Sequence, residues 1–109
     1  MRLAEKHCVP CKGDEPALGE EEIVRHLSEL NPDWKVVGEG KIQRDISVNN
    51  FAEGLALANK IGEIAEAEDH HPDLHLSYKN ITVELSTHAI GGLSENDFIV
   101  AAKIDALLV

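Results

Sequence analysis

The chain has few positive charges, only two cysteines and no long apolar run. Its 109 residues include 10 Lys and Arg against 20 Asp and Glu, which gives a formal net charge of −10. Such an acidic surface repels phosphate backbones and anionic lipid headgroups, so we expect no nucleic-acid partner. No segment approaches the roughly 20 apolar residues of a membrane span. Because Met1–His7 also lacks the apolar core of a signal peptide, we expect no membrane partner and a cytoplasmic location.

The two cysteines form a single Cys8-Val9-Pro10-Cys11 motif. A Cys-x-x-Cys pair can supply half of a zinc site or take part in redox chemistry. No second pair completes a zinc site, and the motif does not follow a strand and open a helix as a thioredoxin-like motif does. We therefore interpret it as part of a flexible N-terminal arm, residues 1–17. A metal ion shared between subunits is the functional alternative.

The remaining pattern predicts one folded domain over residues 1–109, with the arm at its start. Hydrophobic residues make up 43% of the sequence, which favours a packed core over disorder. Helical spacing of apolar residues, period-two alternation and turn residues predict the individual elements. Helices are predicted over about Glu20–Leu30, Phe51–Glu68 and from Ser94 onward, and strands over Trp34–Val37, Lys41–Val48, 74–78 and 81–85.

The order α-β-β-α-β-β-α predicts an α+β fold, a four-stranded antiparallel sheet with three helices packed on one face. In the predicted hairpin around Lys79-Asn80, apolar and polar residues alternate on both strands, as they do when one sheet face is covered and the other is not. The long helix has one apolar stripe: Phe51, Leu55, Ala58, Ile61, Ile64 and Ala65. A chain of this size forms a modest core, so oligomerisation would help to complete it.

Titratable residues are concentrated in the last part of the chain. They are Glu66, His70, His71, His88 and Asp97, with Pro72 and Tyr78 among them. Histidine exchanges protons near neutral pH, which suits general acid–base catalysis. Zinc, the alternative, takes neutral imidazoles and a carboxylate. Adjacent histidines are poorly placed to chelate one ion together, and Pro72 opposes a helix over His71–His75, so a site without metal fits the spacing better.

Several of these residues also have simple structural interpretations. Glu66 precedes His70 by four residues, so it would share a helix face with His70 and could orient its ring if the helix continued. Asp97 fits the third position of a capping box that Ser94 opens, and capping alone would explain it. Tyr78 alternates with the apolar residues of its strand, which predicts core packing. Thr87 is most simply a strand residue.

The spacing of these residues resembles that of the pterin-4a-carbinolamine dehydratases. The run from Glu66 through His70-His71-Pro72 to Tyr78, followed by His88 and Asp97, matches the family pattern at each position. The resemblance extends from about Leu18 to the C-terminus. One departure is Leu74, where some members carry Trp two residues after His-His-Pro.

This resemblance implies dehydration of 4a-hydroxytetrahydropterin to quinonoid dihydropterin, in tetrahydrobiopterin recycling, with neither metal nor cofactor. His70 and His88 would transfer protons, with acid and base unassigned, and His71 would help to bind the pterin. The residues that would bind substrate or orient these histidines are Glu66, Pro72, Tyr78, Thr87 and Asp97. Family members are dimers or tetramers with sheets joined edge to edge, so a homodimer or homotetramer is expected.

Two alternatives remain open at this point. Relatives of the family have been linked to molybdopterin metabolism, so the same chemistry could act on another pterin. Animal members also serve as dimerisation cofactors of a homeodomain transcription factor, which makes a non-catalytic binding module the third hypothesis. The sequence does not distinguish among pterin side chains or oligomer sizes.

Overall fold

The computed structural model describes residues 2–108, and over this range three α-helices and four β-strands follow in the order α-β-β-α-β-β-α. The helices are α1 (Glu20–Leu27), α2 (Phe51–Glu68) and α3 (Glu95–Leu107), and the strands are β1 (Lys35–Val37), β2 (Lys41–Ser47), β3 (Asp73–Ser77) and β4 (Asn80–Leu85). Two 3₁₀ turns, Leu3–Glu5 and His88–Ile90, complete the list. The predicted α+β fold is therefore confirmed. Helix α1 is shorter than predicted because the chain tightens into i→i+3 hydrogen bonds at Glu29 and Leu30.

The four strands form one antiparallel sheet in the order β1-β2-β4-β3. On one face, Ile42 pairs with Leu85 and Ile46 with Ile81, and these side chains are buried. On the other face, Gln43 pairs with Glu84 and Asp45 with Thr82. Helices α2 and α3 cover the apolar face and contact each other, and α1 packs on α3. The alternation in the sequence thus identified which face of the sheet is covered.

The N-terminal arm is packed against the domain, so the prediction of a flexible arm is wrong for its first part. Leu3 is 2% exposed and belongs to the hydrophobic core, and its 3₁₀ turn contacts α3. Lys6 forms an ion pair with Glu95 at 2.8 Å. The Cys8 and Val9 amides also donate hydrogen bonds to side chains of α2 and α3. Periodicity could not reveal this docking because the arm has a single core residue and otherwise binds through polar contacts.

Two glycines allow the β1–β2 turn to lie directly against the loop that follows β4. Gly40 has a φ of +79°, and a Cβ at this position would lie 2.7 Å from the Gly92 Cα. A Cβ on Gly92 would lie 2.8 Å from the Cβ of Ala17. The loop that contains Gly92 begins after β4 and includes His88, so these close approaches fix the base of that loop.

The apolar stripe of α2 is only partly covered. Ile61 and Ala65 are buried against the sheet and α3, whereas Phe51 and Leu55, in the first half of the helix, are 44% and 48% exposed. The apolar stripe therefore faces the core only towards the C-terminal end of α2. Within residues 2–108, no helix combines the length and apolar character needed to cross a membrane.

Candidate active site

A cleft of about 620 Å³ lies where the end of α2, the segment after β4 and the N-terminal arm meet. His70 and His71 line it after α2, and Thr87 and His88 line it after β4. Cys8–Cys11 lines it from the arm. The structure therefore brings together the three histidines that the sequence analysis predicted as site residues. It also adds a segment that the sequence analysis had assigned outside the site.

The end of α2 directs His70 into this cleft. Asp69 follows the helix in the left-handed conformation, with a φ of 50°, which a short polar residue tolerates better than most. The amides of Asp69 and His70 both donate to the Ala65 carbonyl, and this closes the last turn. The chain then leaves the helix axis, so that the His70 side chain points towards the first turn of α3.

The His70 ring is held by a buried carboxylate. His70 Nε2 lies 2.6 Å from Asp97 Oδ1, and Asp97 is 0% exposed. The other oxygen, Asp97 Oδ2, accepts hydrogen bonds from Thr87 Oγ1 at 2.8 Å and from the Ser94 amide at 3.0 Å. The capping interpretation of Asp97 is therefore confirmed, and the oxygen that does not cap the helix contacts His70.

This network defines the His70 tautomer. A carboxylate accepts hydrogen bonds and does not donate them, so Nε2 carries the hydrogen in the contact with Asp97. Nδ1 is then the ring nitrogen that can accept or donate a proton elsewhere. Thr87 is buried, and its hydroxyl also lies 2.8 Å from Ser94 Oγ, which fixes the carboxylate further.

Glu66 pairs with His71 rather than with His70. His71 Nε2 lies 2.5 Å from Glu66 Oε2, and both side chains are largely exposed. The expectation that Glu66 orients His70 is wrong because α2 ends at Glu68, before the helical spacing could reach His70. In water this exposed pair contributes little to stability. It can still restrict the orientation of the His71 ring at the edge of the cleft.

His88 is presented by a short, well-anchored turn. It begins the 3₁₀ turn His88–Ile90, with two residues between it and the end of β4, and its side chain is exposed. The preceding residue, Thr87, exchanges backbone hydrogen bonds with Gly92, at 2.9 and 3.4 Å. The turn therefore has a fixed base beside the Asp97 network, while the imidazole remains accessible from the cleft.

Four of the predicted site residues do not line the cleft: Glu66, Pro72, Tyr78 and Asp97. Pro72 follows His71 and leads into β3. Tyr78 is 70% exposed, and Lys79 Nζ lies 5.5 Å from its ring centroid. The prediction that Tyr78 packs in the core is wrong because β3 ends at Ser77 and Tyr78 belongs to the hairpin turn. The structure of the single chain therefore gives Tyr78 no contact with the cleft.

Sequence reasoning did not identify Glu68 and Asn96, the two cleft residues whose side chains accept hydrogen bonds from the arm. Glu68 accepts a hydrogen bond from the Cys8 amide at 2.7 Å and pairs with His7 and Lys103. Burial alone raises the pKa of the Glu68 carboxyl, but these partners outweigh it and hold that pKa below its ordinary value. Asn96 stands next to Asp97 in the capping sequence, which was the one available signal. No signal in the sequence identified Glu68, because its partner Cys8 lies 60 positions away.

Both thiols at the cleft are neutral near pH 7. Burial raises the pKa of Cys8 to about 12, with further contributions from the negative charges of Glu68 and Asp97. Burial also raises the pKa of Cys11.

Within residues 2–108, the His, Cys, Asp and Glu side chains form no group of three or more that could hold a metal ion.

Comparison with known proteins supports the resemblance seen in the sequence. The family model described as pterin 4 alpha carbinolamine dehydratase matches residues 16–107. A relative from Alkaliphilus metalliredigens, provisionally named pterin-4-alpha-carbinolamine dehydratase, is 47% identical over 103 residues, which cover 94% of this chain and 93% of that protein. A relative from Nitrosomonas eutropha with the same provisional name is 44% identical over 107 residues, covering 98% of this chain and 94% of that protein.

Solved structures agree with this assignment. The transcriptional coactivator/pterin dehydratase from Brucella melitensis superposes with a TM-score of 0.78 at 30% identity, covering 84% of this chain and 97% of that one. A pterin dehydratase-like RuBisCO assembly factor of the alpha-carboxysome superposes with a TM-score of 0.60 at 19% identity, covering 69% of this chain and 88% of that one, and shares the fold. By its sequence and its fold, the chain belongs to the pterin 4 alpha carbinolamine dehydratase family, whose named reaction is that of a hydro-lyase.

Proposed function

We propose that this cleft dehydrates 4a-hydroxytetrahydropterin to quinonoid dihydropterin and water, with His70 and His88 as the proton-transfer groups. The observation that supports this most directly is the His70–Asp97 pair, with its 2.6 Å contact, in the same cleft as His88. Such a pair keeps one imidazole in a single tautomer and orientation, which proton transfer requires. Family membership makes the carbinolamine the expected substrate class.

The reaction needs one proton donor and one proton acceptor. The hydroxyl on C4a leaves as water and takes up a proton, while N5 loses one, so the two transfers balance. His70 Nδ1 is the ring nitrogen that Asp97 leaves available, and His88 supplies the second imidazole. Two groups of this type are each worth about 10²–10⁴-fold in rate. Which histidine is the acid and which the base is open, since both imidazoles can perform either transfer.

His71 and Thr87 have supporting roles in this proposal. His71, oriented by Glu66, would donate or accept a hydrogen bond at the polar edge of the pterin. Thr87 would act through Asp97, because its hydroxyl binds the carboxylate oxygen that His70 does not use. Tyr78 and Pro72 would contribute only through a neighbouring subunit or through the backbone, since neither lines the cleft of the single chain.

We further propose that the protein is a homo-oligomer, dimeric or tetrameric. Phe51 and Leu55 form an exposed apolar patch on α2. Strands β1 and β3 are the two edges of the sheet, and unpaired edges favour association with another strand.

Recycling of tetrahydrobiopterin is the physiological role that we assign to the reaction. A cytoplasmic location stays a prediction that cell fractionation would check.

The test is the rate at which purified protein consumes 4a-hydroxytetrahydropterin above the spontaneous rate. We expect acceleration by the wild type, and a loss of about 10²-fold or more in kcat for His70→Ala or His88→Ala. His75→Ala is the matched control, because His75 lies on the polar face of β3 and outside the cleft. No acceleration by the wild type would contradict the proposal. Faster turnover of a molybdopterin-related pterin would keep the chemistry and change the substrate.

A further inference from the structure

The arm residues Cys8–Cys11 line the same cleft as His70 and His88. They precede residue 16, where the match to the family model begins. The relative from Nitrosomonas eutropha aligns over 107 of the 109 residues, so its similarity extends into the arm. The family pattern therefore accounts for the histidines but leaves this side of the cleft unexplained.

Asn96 attaches the arm to α3 by two hydrogen bonds with a single residue. The Val9 amide donates to Asn96 Oδ1 at 3.1 Å, and Asn96 Nδ2 donates to the Val9 carbonyl at 2.6 Å. Asn96 is buried. Its side chain thus pairs with the Val9 backbone as a neighbouring strand would. Because Asn96 is adjacent to Asp97, the residue that holds the arm and the residue that holds His70 share the first turn of α3.

Glu68 attaches the arm at the end of α2. Its Oε1 accepts the Cys8 amide at 2.7 Å, and its side chain is almost fully buried. Helix α2 ends at Glu68, immediately before the turn that places His70. The arm is therefore fixed to the same two helix ends that fix the proton-transfer residue, and movement of the arm would change the width of the cleft.

The arm and the rest of the cleft have different surface chemistry. The arm presents Val9, Pro10 and two neutral thiols, whereas the remaining lining includes His70, His88 and Thr87. The bicyclic ring of a pterin has largely apolar faces and polar edges, so it fits between a neutral wall and a row of hydrogen-bonding groups.

We propose that Cys8–Cys11 is a wall of the pterin site that retains the ring of the substrate, and that Asn96 and Glu68 position this wall. The inference rests on the proposed function, because it assigns a second side to the same cleft. It makes the arm a determinant of substrate affinity and leaves proton transfer to the histidines. The wall should therefore affect KM much more than kcat.

The kinetic test compares Asn96→Leu with Lys6→Ala. Asn96→Leu removes both hydrogen bonds to Val9, and we expect KM for the carbinolamine to rise about tenfold, equivalent to roughly 1.4 kcal/mol, with kcat within about twofold. Lys6→Ala removes an arm contact outside the cleft, the ion pair with Glu95, and should leave both constants unchanged. Val9→Asp, at an exposed position, provides a second variant whose KM should rise even if Asn96→Leu unfolds.

The two native cysteines allow a second readout that does not depend on turnover. N-ethylmaleimide labelling of Cys8 and Cys11, followed by mass spectrometry, should slow about fivefold or more when saturating 7,8-dihydrobiopterin occupies the cleft. The same labelling in urea, where the cleft is absent, should be unaffected by the pterin. Asn96→Leu should label faster than the wild type without ligand.

These results separate the wall from the catalytic proposal. The wild type could be an active dehydratase while pterin does not protect the cysteines from labelling and neither variant raises KM. In that case the proposal of a wall is wrong and the catalytic assignment stands. If the wild type lacks activity but pterin still protects both cysteines, the cleft binds pterin and the catalytic assignment fails. Absence of both activity and protection overturns both.

Discussion

Asp97 satisfies two requirements with its two oxygens. Oδ2 caps α3 by accepting the Ser94 amide, and Oδ1 holds His70 at 2.6 Å. A buried carboxylate is costly unless each oxygen has partners, and here Thr87 supplies a further hydrogen bond. The folding of α3 and the orientation of the imidazole therefore depend on the same side chain.

The Asp97→Asn variant tests this dependence. An amide has one oxygen, so either His70 or the pair of Thr87 and Ser94 loses its acceptor. We expect kcat to fall by about 10²-fold and the free energy of unfolding to fall by about 1–3 kcal/mol. Steady-state kinetics and urea unfolding measure the two effects. Glu63→Gln, at an exposed position on α2, is the control that should change neither. A folded Asp97→Asn with wild-type kcat would contradict the role of the pair.

At the residue scale, the sequence predicted which residues come together in the cleft. It predicted the hydrogen-bond partners of these residues less well. His70, His71 and His88 were identified by type and spacing, and all three line one cleft. The partner of Glu66 was wrong because it depends on the backbone at Asp69, whose left-handed conformation no pattern indicated. Asp97 could be recognised as a cap from its local sequence, but its contact with His70 spans 27 positions.

At the scale of elements, the end of α2 connects the arm to the site through Glu68. Its buried carboxylate accepts a hydrogen bond from the Cys8 amide and lies near the His7 ring and the Lys103 ammonium group. Because the pKa of Glu68 is lowered in the folded protein, its contribution to stability is present above the ordinary value of 4.5 and is lost as pH falls through the lower folded value.

Glu68→Gln should therefore lose stability in a pH-dependent manner. At pH 7 we expect the thermal midpoint to fall by about 4–8 °C, equivalent to roughly 1 kcal/mol for a chain of this size. The difference from the wild type should shrink as pH falls below 4.5, since protonation removes the same charge from the wild type. Calorimetry at pH 7 and at about pH 3.5 checks both expectations, and a difference that is independent of pH would contradict them.

The contact between the β1–β2 turn and the loop after β4 makes a separate prediction. Gly40→Ala adds a Cβ 2.7 Å from the Gly92 Cα, at a φ of +79°. Gly38→Ala is the matched control, because its φ is also positive, +55°, but nothing lies within 4 Å of the added Cβ. Both variants incur about 1–2 kcal/mol for the left-handed backbone, and Gly40→Ala should lose a further 1–3 kcal/mol, approximately, through the clash. Equal losses in urea unfolding would show that the close approach is unimportant.

Regular elements were predicted well from the sequence, and the arm was not. The long helix was predicted at Phe51–Glu68, its observed range, because the helical spacing of its apolar residues marks it. The hairpin strands were recognised from period-two alternation. The arm has no such period. Its docking depends on Leu3 entering the core and on polar contacts with α2 and α3, which only the folded chain brings together.

At the scale of the whole molecule, the fold leaves apolar surface uncovered. Phe51 and Leu55 are exposed near the start of α2, on a chain whose formal net charge is −10. Like charges oppose association, so a stable oligomer needs a specific apolar contact to overcome this repulsion. The patch on α2 is a suitable contact of this kind.

Sedimentation velocity tests the oligomer. We expect the wild type to sediment as a dimer or tetramer and the double variant Phe51→Ser, Leu55→Ser to shift towards monomer. Val24→Ser is the control, since Val24 is also exposed but lies on α1. A monomeric wild type would contradict the proposed assembly. An oligomer insensitive to the double variant would move the contact elsewhere, and the sheet edges β1 and β3 would be examined next.

The central claim is that the cleft between α2, β4 and the arm is an acid–base site for a pterin carbinolamine. The most direct measurement is the stopped-flow rate of 4a-hydroxytetrahydropterin dehydration by the double variant His70→Ala, His88→Ala, beside the wild type and the spontaneous reaction. The double variant keeps the cleft but removes both proton-transfer groups, so its rate should fall to within about threefold of the spontaneous rate while the wild type exceeds it by 10²-fold or more, approximately. A folded double variant that retains more than roughly a tenth of the wild-type acceleration would contradict the assignment of these histidines.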